Sequence, residues 1–499
     1  MKGTALARFA LAATLALAAP AAADDGPLGS IQSSEEDARV LHLLNRAAFG
    51  PSPASVEEVH RVGRGRWISD QIFGDSMPDP ELDEKLSIYP ALPMNSSELM
   101  ANYPQQNRRT DEPVGIGPPQ RVPVEVAAAN LTRAVHGRAQ IREVMTDFWF
   151  NHFNVSASEG FTRLAVVSYV RDAIRPHALG YFEDLLRATA ESPAMLYYLD
   201  NYVSVAPGSR GRYSDINENY ARELLELHTL GVDGGYTQRD VIEVARTLTG
   251  WTFTSPRTGV VEFAFFPRVH DRGPKQVLGE TIPSGNQSEG LQVLHLLATH
   301  PSTAEFVSRK ILQRLVADDP PQELVDRTAG VFLMTGGHIG WTVASVLTSD
   351  EFNDPAHRNN KAKTPLELVA SALRATDADV THGVGGARLV ADLGQPMLRA
   401  PAPTGWPEIG SGILSPGGMV TRFDFGYLAA TDRIEGARVD AQLWEPLVEI
   451  WGTDGLSQYL LGRLPGKTTR AALQKAHADG ADPGLLAAIV LGSPEFQLQ

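Results

Sequence analysis

The chain carries three groups of polar side chains whose types suit acid/base chemistry or metal binding. In chain order they are His152, the pair Glu223 and Glu226, and the loop residues His270, Asp271 and Lys275. Histidine and carboxylate groups exchange protons near neutral pH and also ligate divalent metals. If folding gathers them in one pocket, they predict a catalytic site with a carboxylate as base, a histidine as acid or metal ligand, and a lysine that stabilises an anion.

His152 shares the apolar face of a predicted helix. The residues that recur at steps of three and four in segment 141–153 are Ile141, Val144, Met145, Phe148, Trp149 and His152. The imidazole is therefore expected to point inward. Two interpretations stay open: a core histidine near the helix end, hydrogen-bonded to a carbonyl group, or a ligand or acid/base residue.

Segment 214–231 resembles a calcium loop in part. The first, third, fifth and twelfth places of that pattern hold Asp215, Asn217, Asn219 and Glu226. Tyr220 stands where the calcium loop needs glycine, and strong helix formers follow from Glu218 onward. We therefore expect a helix here, with Asp215 as its N-cap and Glu218 reaching back to it.

The same predicted helix carries a polar stripe of Asn219, Glu223 and Glu226, and Arg222 is spaced to pair with Glu218 and Glu226. One interpretation is a solvated, salt-bridged face. The other is that Glu223 and Glu226, one turn apart, present two carboxylates to a cleft for proton transfer or metal ligation.

The third group lies in a predicted β-hairpin. The aromatic and β-branched segment 260–269 and the short segment 275–278 predict two paired strands, joined by a loop from His270 to Pro274. His270 and Asp271 in such a loop suit metal binding or proton transfer. A turn-forming aspartate beside a surface histidine explains the pair equally well.

Helical periodicity dominates the elements that must position these groups. It predicts a mainly α, multi-helical single large domain over residues 38–499, preceded by a linker at 24–37. Within it we expect a long helix over 125–153, an irregular Pro-rich loop at 75–124, the hairpin insertion at 251–280 and a further loop at 393–407.

The N-terminus has the pattern of a secretory signal peptide. Lys2 and Arg8 precede an apolar run at 9–19, and small residues lead to an expected cleavage site after Ala23. The run is too short to span a bilayer, and no later stretch has the length and purity of a membrane span. The sequence therefore predicts a protein exported to the periplasm or the extracellular space, with residues 1–23 removed.

Composition narrows the function classes further. The 499 residues carry a formal net charge of −15, which argues against a nucleic-acid partner, and they include no cysteine, which excludes disulfides and thiolate chemistry. The sequence also lacks a zincin motif, a P-loop, a dinucleotide fingerprint and a nucleophile elbow.

Several segments in order resemble one family, the bacterial secreted proteins of domain of unknown function family 1800. The segments that carry the resemblance are 43–53 (LLNRAAFGPSP), 147–156 (DFWFNHFNVS), 174–186, 192–201, 217–232, 236–251, 270–279, 363–369 (KTPLELV) and 393–407 (LGQPMLRAPAPTGWP). The resemblance implies one long, largely helical secreted domain, often encoded beside another secreted family of unknown function, and no established reaction.

The resemblance also implies that His152, Asn219, Glu223, His270, Asp271 and Lys275 belong to the family's motif blocks. The long Pro-rich segment 75–124 departs from the pattern.

Two functions are expected from these observations. The first is a periplasmic or secreted hydrolase or lyase acting on an external polymer or peptide, for which zinc, manganese or iron is a candidate cofactor. The second is a non-catalytic binding or assembly protein that works with a secreted protein partner.

Overall fold

The chain folds mainly into short α-helices, and the strands of the described part pair only in two-stranded sheets. The computed structural model describes residues 34–74, 77–104, 116–158, 160–209, 211, 213–255, 259–413 and 416–499. The predicted mainly α class is confirmed. The predicted signal peptide lies outside the described residues.

The first half of the described chain holds helices α1 to α12. Their bounds are Glu35–Ala47, Pro53–Val62, Arg64–Phe73, Pro80–Leu86, Ser96–Asn102, Arg121–His136, Gln140–His152, Thr162–Ser168, Phe182–Ala190, Pro193–Tyr198, Asn219–Glu223 and Gln238–Thr247. Helix α8 continues as a π-helical turn over Tyr169–Ile174, and α11 continues likewise over Leu224–Thr229.

The second half holds helices α13 to α24. Their bounds are Gln287–Ala298, Pro301–Leu315, Gln322–Met334, Ile339–Leu347, Asp350–Asn353, Pro365–Ala375, Val384–Asp392, Gly410–Ile413, Pro416–Ala430, Trp444–Leu461, Lys467–Ala478 and Pro483–Leu491. The strands β1 to β6 span Trp251–Phe253, Phe263–Phe265, Lys275–Val277, Glu280–Ile282, Asp379–Val380 and Ala437–Arg438. None of the helices in the described ranges is long and apolar enough to cross a membrane.

The segment 75–124, predicted to be irregular, contains helices α4 and α5 and the start of α6. Asp79 and Asn95 cap α4 and α5 by accepting hydrogen bonds from backbone N–H groups. Pro80 stands in the first turn of α4, where proline costs no hydrogen bond. Pro80 therefore marks a helix start, and the described part of this segment is not one continuous loop.

The long helix predicted over 125–153 is two helices, α6 and α7. Helix α6 ends where the N–H of Gly137 bonds to the carbonyl of Arg133 at 2.8 Å, and α7 begins at Gln140. The apolar side of α7 enters the main core, where the indole of Trp149 is fully buried and donates to the carbonyl of Ala178 at 3.0 Å. This packing fixes the rotation of α7 and so the direction of its polar residues.

The predicted single hairpin is wrong in its pairing, because the structure has two hairpins. Strand β2 pairs antiparallel with β1, with Phe265 opposite the fully buried Trp251. Strand β3 pairs with β4 through a two-residue turn at Leu278 and Gly279, which have φ angles of 53° and 83°. Two positive φ angles fit the tight turn that matches strand twist. Burial of Trp251 thus draws β2 away from β3.

The second large core cluster lies in the C-terminal part of the chain. It joins apolar residues of α6 and α18 to those of α21, α22 and α24, among them Leu131, Leu373 and Trp444. Helix α7 contributes to both clusters, with Ile141 and Met145 in the first and Val144 in the second. This helix is therefore packed against both cores, which holds its polar side chains in place.

Candidate functional site

His152 is a buried histidine at the end of α7. Its Nε2 lies 3.1 Å from the carbonyl oxygen of His228, and its Nδ1 has no partner in the described part. Burial, with the nearby charge of Lys310, lowers the pKa of His152 well below its usual value. The position matches the core-histidine interpretation, with rings of Trp149 and Phe153 packed around the imidazole.

Glu223 and Glu226 lie half-buried at the α11 turn and its π-helical continuation. Burial and the charge of Glu226 raise the pKa of Glu223. Glu226 accepts a hydrogen bond from the hydroxyl of Tyr236 at 3.2 Å. Arg222 pairs with Glu218 at 3.1 Å, as its spacing predicts.

The predicted N-cap of this helix is wrong. Helix α11 begins at Asn219 after Glu218, which forms no side-chain cap, and Asp215 lies outside the helix. The amide oxygen of Asn217 instead accepts from the N–H of Asn219 at 2.9 Å. A local Asx-type turn therefore replaces the capping box.

His270, Asp271 and Lys275 do lie together, around a residue that sequence reasoning missed. Glu289 of α13 is fully buried, bonds to the ammonium of the fully buried Lys275, and lies 3.3 Å from Nε2 of His270. Asp271 forms a bidentate pair with Arg246 at 3.0 Å for both bonds. These contacts join the second hairpin to α12 and α13.

In the described part, the three predicted groups are not bonded to one another, although His152 contacts the carbonyl oxygen of His228, two residues after Glu226. In the described ranges, no hydrogen bond or ion pair joins His152 to the hairpin group or to the glutamate pair. No cluster of three or more His, Asp or Glu side chains among the described residues is arranged to hold a metal ion.

A different set of polar residues faces a cleft that encloses about 830 Å³, including its open mouth. Its walls come from α7, the C-terminal end of α14, the start of α18 and the loop at 393–409. Among the side chains that line it are Glu143, Asp147, Asn151, Arg314, Trp406 and Glu408. We call this space the carboxylate cleft.

Asp147 is the carboxylate that α7 presents to the carboxylate cleft, with about a third of its side chain (32%) exposed. The buried Arg314 of α14 lies 3.2 Å from its Oδ2 and 3.1 Å from Oε1 of Glu367. Burial raises the pKa of Asp147 to about 6, against the pull of Arg314 and with added repulsion from Glu408. Asp147 therefore exchanges a proton near neutral pH.

Asn151, one helical turn after Asp147, holds the second carboxylate and the cleft loop. Its Nδ2 donates to Oε1 of Glu408 and to the carbonyl of Trp406, both at 2.9 Å, and its Oδ1 accepts from the N–H of Trp406 at 2.7 Å. Asn154 donates to the carbonyls of Ala400 and Ala402 at 3.1 and 2.7 Å. Two asparagines thus fix the loop at 393–409 against α7.

Gly405 permits this close approach. Its φ angle is +74°, and a Cβ built there would lie 2.4 Å from both the backbone oxygen and Oδ1 of Asn151. Any larger residue would push the loop away from Asn151.

The comparisons with known proteins identify one family. A family model described as a protein of unknown function, DUF1800, matches residues 42–498. The chain belongs to the DUF1800 family. No curated protein and no solved structure matches this chain.

Four of the segments that carry the resemblance to DUF1800 line the carboxylate cleft. They are 43–53 through Phe49, 147–156 through Asp147, 363–369 through Thr364, and 393–407 through Trp406. The sequence held one signal for this site, since Glu143, Asp147 and Asn151 recur every four residues on one helix face. Sequence reasoning followed the opposite, apolar face to His152. Arg314 and Glu408 carry no such spacing signal.

Proposed function

We propose that this DUF1800 protein is an exported hydrolase that acts on an external polymer or peptide, with its acid/base chemistry in the carboxylate cleft. The observation that carries the proposal is the position of Asp147. Its partly exposed carboxyl group lies in a concave site and forms an ion pair with the buried Arg314. Paired carboxylates that differ in environment are a common arrangement for hydrolysis.

The two carboxylates divide the work according to their surroundings. Asp147, with a pKa raised to about 6, donates a proton to the leaving group. Glu408, oriented by Asn151, accepts a proton from the attacking water. Water supplies the hydroxyl to one product, and the Asp147 proton completes the other. The step leaves Asp147 ionised and Glu408 protonated, so Glu408 then releases its proton to solvent and Asp147 takes one up from solvent before the next cycle.

Asn151 acts in this scheme as a positioning residue. Because its side chain bonds at once to Glu408 and to both backbone groups of Trp406, it couples the second carboxylate to the loop that walls the carboxylate cleft. A substrate that displaced this loop would also displace Glu408. Orientation of such groups to within a fraction of an ångström governs the rate.

A panel of substrates tests the proposal. The purified mature chain is incubated with neutral polysaccharides, anionic polysaccharides and unstructured peptides, and new reducing ends, new amines and ultraviolet-absorbing unsaturated products are measured. The proposal expects hydrolytic products that are lost in Asp147→Asn and Glu408→Gln and kept in Asp392→Asn, an exposed aspartate on α19. Unsaturated products would indicate a lyase instead.

The second candidate function is binding or assembly with a secreted protein partner. It is favoured by a surface patch of aromatic side chains in which Phe73 and Trp341 are 39% and 52% exposed and their ring centres lie 4.4 Å apart. Tyr181, 48% exposed, packs against His338 beside them. Exposed aromatic patches of this kind mark interaction sites. Absence of any product across the panel, with Trp341→Ser abolishing capture of a co-exported partner, would favour this role.

A further inference from the structure

A second depression, lined by four arginines, adjoins the carboxylate cleft. Arg133, Arg142, Arg171 and Arg175 surround about 790 Å³ of space, including its open mouth, and aliphatic side chains such as Val126 and Val170 complete the walls. We call it the arginine pocket.

Two of the four arginines are neutralised by carboxylates. Arg171 forms a bidentate pair with Asp172, with both bonds at 2.7 Å. Arg175 pairs with Glu143 of α7, while its own Nε is buried without a partner in the described part. A buried guanidinium nitrogen without an acceptor is costly and leaves a donor available.

Among the described residues, the other two arginines have no counter-charge at ion-pair distance. The hydrogen bond found there for Arg133 goes to Oδ1 of Asn130 at 3.3 Å, and no ion pair is found there for Arg142. Asp83 attracts Arg133 without pairing with it, and both line a neighbouring depression that Arg142 also lines. Burial lowers the pKa of Arg133 to about 10, partly opposed by Glu143 and reinforced by Arg175. Arg133 therefore stays cationic at neutral pH. Because the carboxylates of Asp172 and Glu143 pair with only two of the four arginines, the arginine pocket holds an excess of positive charge.

We propose that the arginine pocket binds an oxyanion group, of the phosphate, sulfate or carboxylate type. Guanidinium groups offer paired N–H donors that match such oxygens, and Arg133, Arg142 and Nε of Arg175 have donors to spare. The aliphatic walls suit the carbon skeleton that carries the oxyanion. This site makes no use of Asp147 or Glu408.

The position of the arginine pocket gives the bound group a role. Val170 lines both spaces, and Glu143, which lines the carboxylate cleft, pairs with Arg175 of the arginine pocket. Glu143 precedes Asp147 by one helical turn, about 6 Å along α7. Resting on the proposed function, we infer that the substrate is a polymer with oxyanion substituents, one of which binds here while a neighbouring bond lies beside Asp147.

Calorimetric titration of the full mature chain tests the site. The probes are inorganic phosphate, inorganic sulfate, acetate, dextran sulfate and unsubstituted dextran. The variants are Arg142→Gln and Arg133→Gln, and the matched control is Arg239→Gln, an exposed arginine on α12. Because charge-assisted hydrogen bonds are lost, each variant is expected to weaken phosphate or sulfate binding about tenfold, and Arg239→Gln to leave it unchanged.

The outcomes separate the two parts of the proposal. Failure of the wild-type chain to bind any of the three small anions, or equal binding by wild type and Arg142→Gln, overturns the site. Binding of inorganic phosphate with no binding of dextran sulfate overturns the inferred substrate class. Binding needs no turnover, so inactivity of the chain on every polymer would count against the proposed hydrolase and leave the oxyanion site standing.

Discussion

Arg314 lies 3.2 Å from Asp147, and the pKa of that carboxyl is nevertheless raised to about 6. Burial opposes the charged form more strongly than Arg314 favours it, and Glu408 adds repulsion. Arg314 does not act on Asp147 alone, because its guanidinium group also pairs with the carboxylate of Glu367. The result is a carboxyl group that is oriented by a cation yet remains able to hold a proton near neutral pH.

Asp147→Asn should abolish acid catalysis. We expect the hydrolytic rate to fall by about 100-fold or more, because a general acid contributes that much. In the wild type, kcat/KM should decline as pH rises through about 6, since the proton is then lost. The pH–rate profile on the substrate found by the panel checks this, and Asp392→Asn serves as the control. An unchanged alkaline decline in Asp147→Asn would contradict the assignment.

Arg314→Gln should destabilise the fold. Burial raises the pKa of Glu367, but Arg314 and the hydrogen bonds from Thr364 and Gln499 together outweigh burial and hold that pKa below its ordinary value. Removal of the cation leaves a buried carboxylate unpaired, at a cost of about 3 kcal/mol in the free energy of unfolding. Urea unfolding at neutral pH measures this loss. The exposed Arg327→Gln should cost less than about 1 kcal/mol.

The effect of Arg314→Gln should depend on pH with a definite sign. A lowered pKa means that the stabilisation by ionised Glu367 is present above the ordinary carboxyl pKa and is lost as pH falls through the folded value. The difference in the free energy of unfolding between wild type and Arg314→Gln should therefore become smaller as the pH is lowered. The double variant with Glu367→Gln should recover part of the loss at neutral pH. If this difference in the free energy of unfolding becomes larger as the pH is lowered, a group other than Glu367 dominates its pH dependence.

Export should remove residues 1–23. The charged start, the apolar run and the small residues before Asp24 are the features that signal peptidase reads. Mass spectrometry of protein expressed in a bacterial host should find a mature N-terminus at Asp24 in the periplasm or medium. Ala23→Asp should leave the precursor uncleaved. Full-length protein retained in the cytoplasm would argue against export.

The helical class was predictable because periodicity is a local property, and so was the loop at 393–407. The contacts between residues of the carboxylate cleft could not be predicted from the sequence. Arg314 and Glu408 are 167 and 257 residues away from Asp147 and Asn151, respectively, and nothing local marks such contacts. The hairpin pairing failed for a related reason, since burial of Trp251 decides which strand β2 joins.

Lys275→Met should cost stability rather than chemistry. Lys275 and Glu289 are both fully buried, and loss of the ammonium leaves a buried carboxylate whose other contacts in the described part are His270 and the N–H of Gly285. We expect a loss of about 3 kcal/mol or more in the free energy of unfolding. Thermal and urea unfolding measure it, with the exposed Lys467→Met as the control, expected within about 0.5 kcal/mol of wild type. A fully stable but inactive Lys275→Met would return the hairpin group to a catalytic role.

Two glycines of the cleft loop separate backbone strain from contact with Asn151. Gly394 and Gly405 have φ angles of +102° and +74°, so alanine strains the backbone at either position. Only at Gly405 would the new Cβ meet Asn151, at 2.4 Å, whereas nothing lies within 4 Å of a Cβ at Gly394. Each substitution should cost about 1 kcal/mol of stability through strain, and Gly405→Ala more than that.

The activities of the same pair of variants should differ more than their stabilities. Gly405→Ala pushes the loop from Asn151 and so releases Glu408 from its hydrogen bond. We expect kcat/KM to fall by about tenfold or more, because a displacement of 1 Å is costly for catalysis. Gly394→Ala should stay close to wild type. Equal activities of the two variants would mean that Asn151 does not position Glu408 for the reaction.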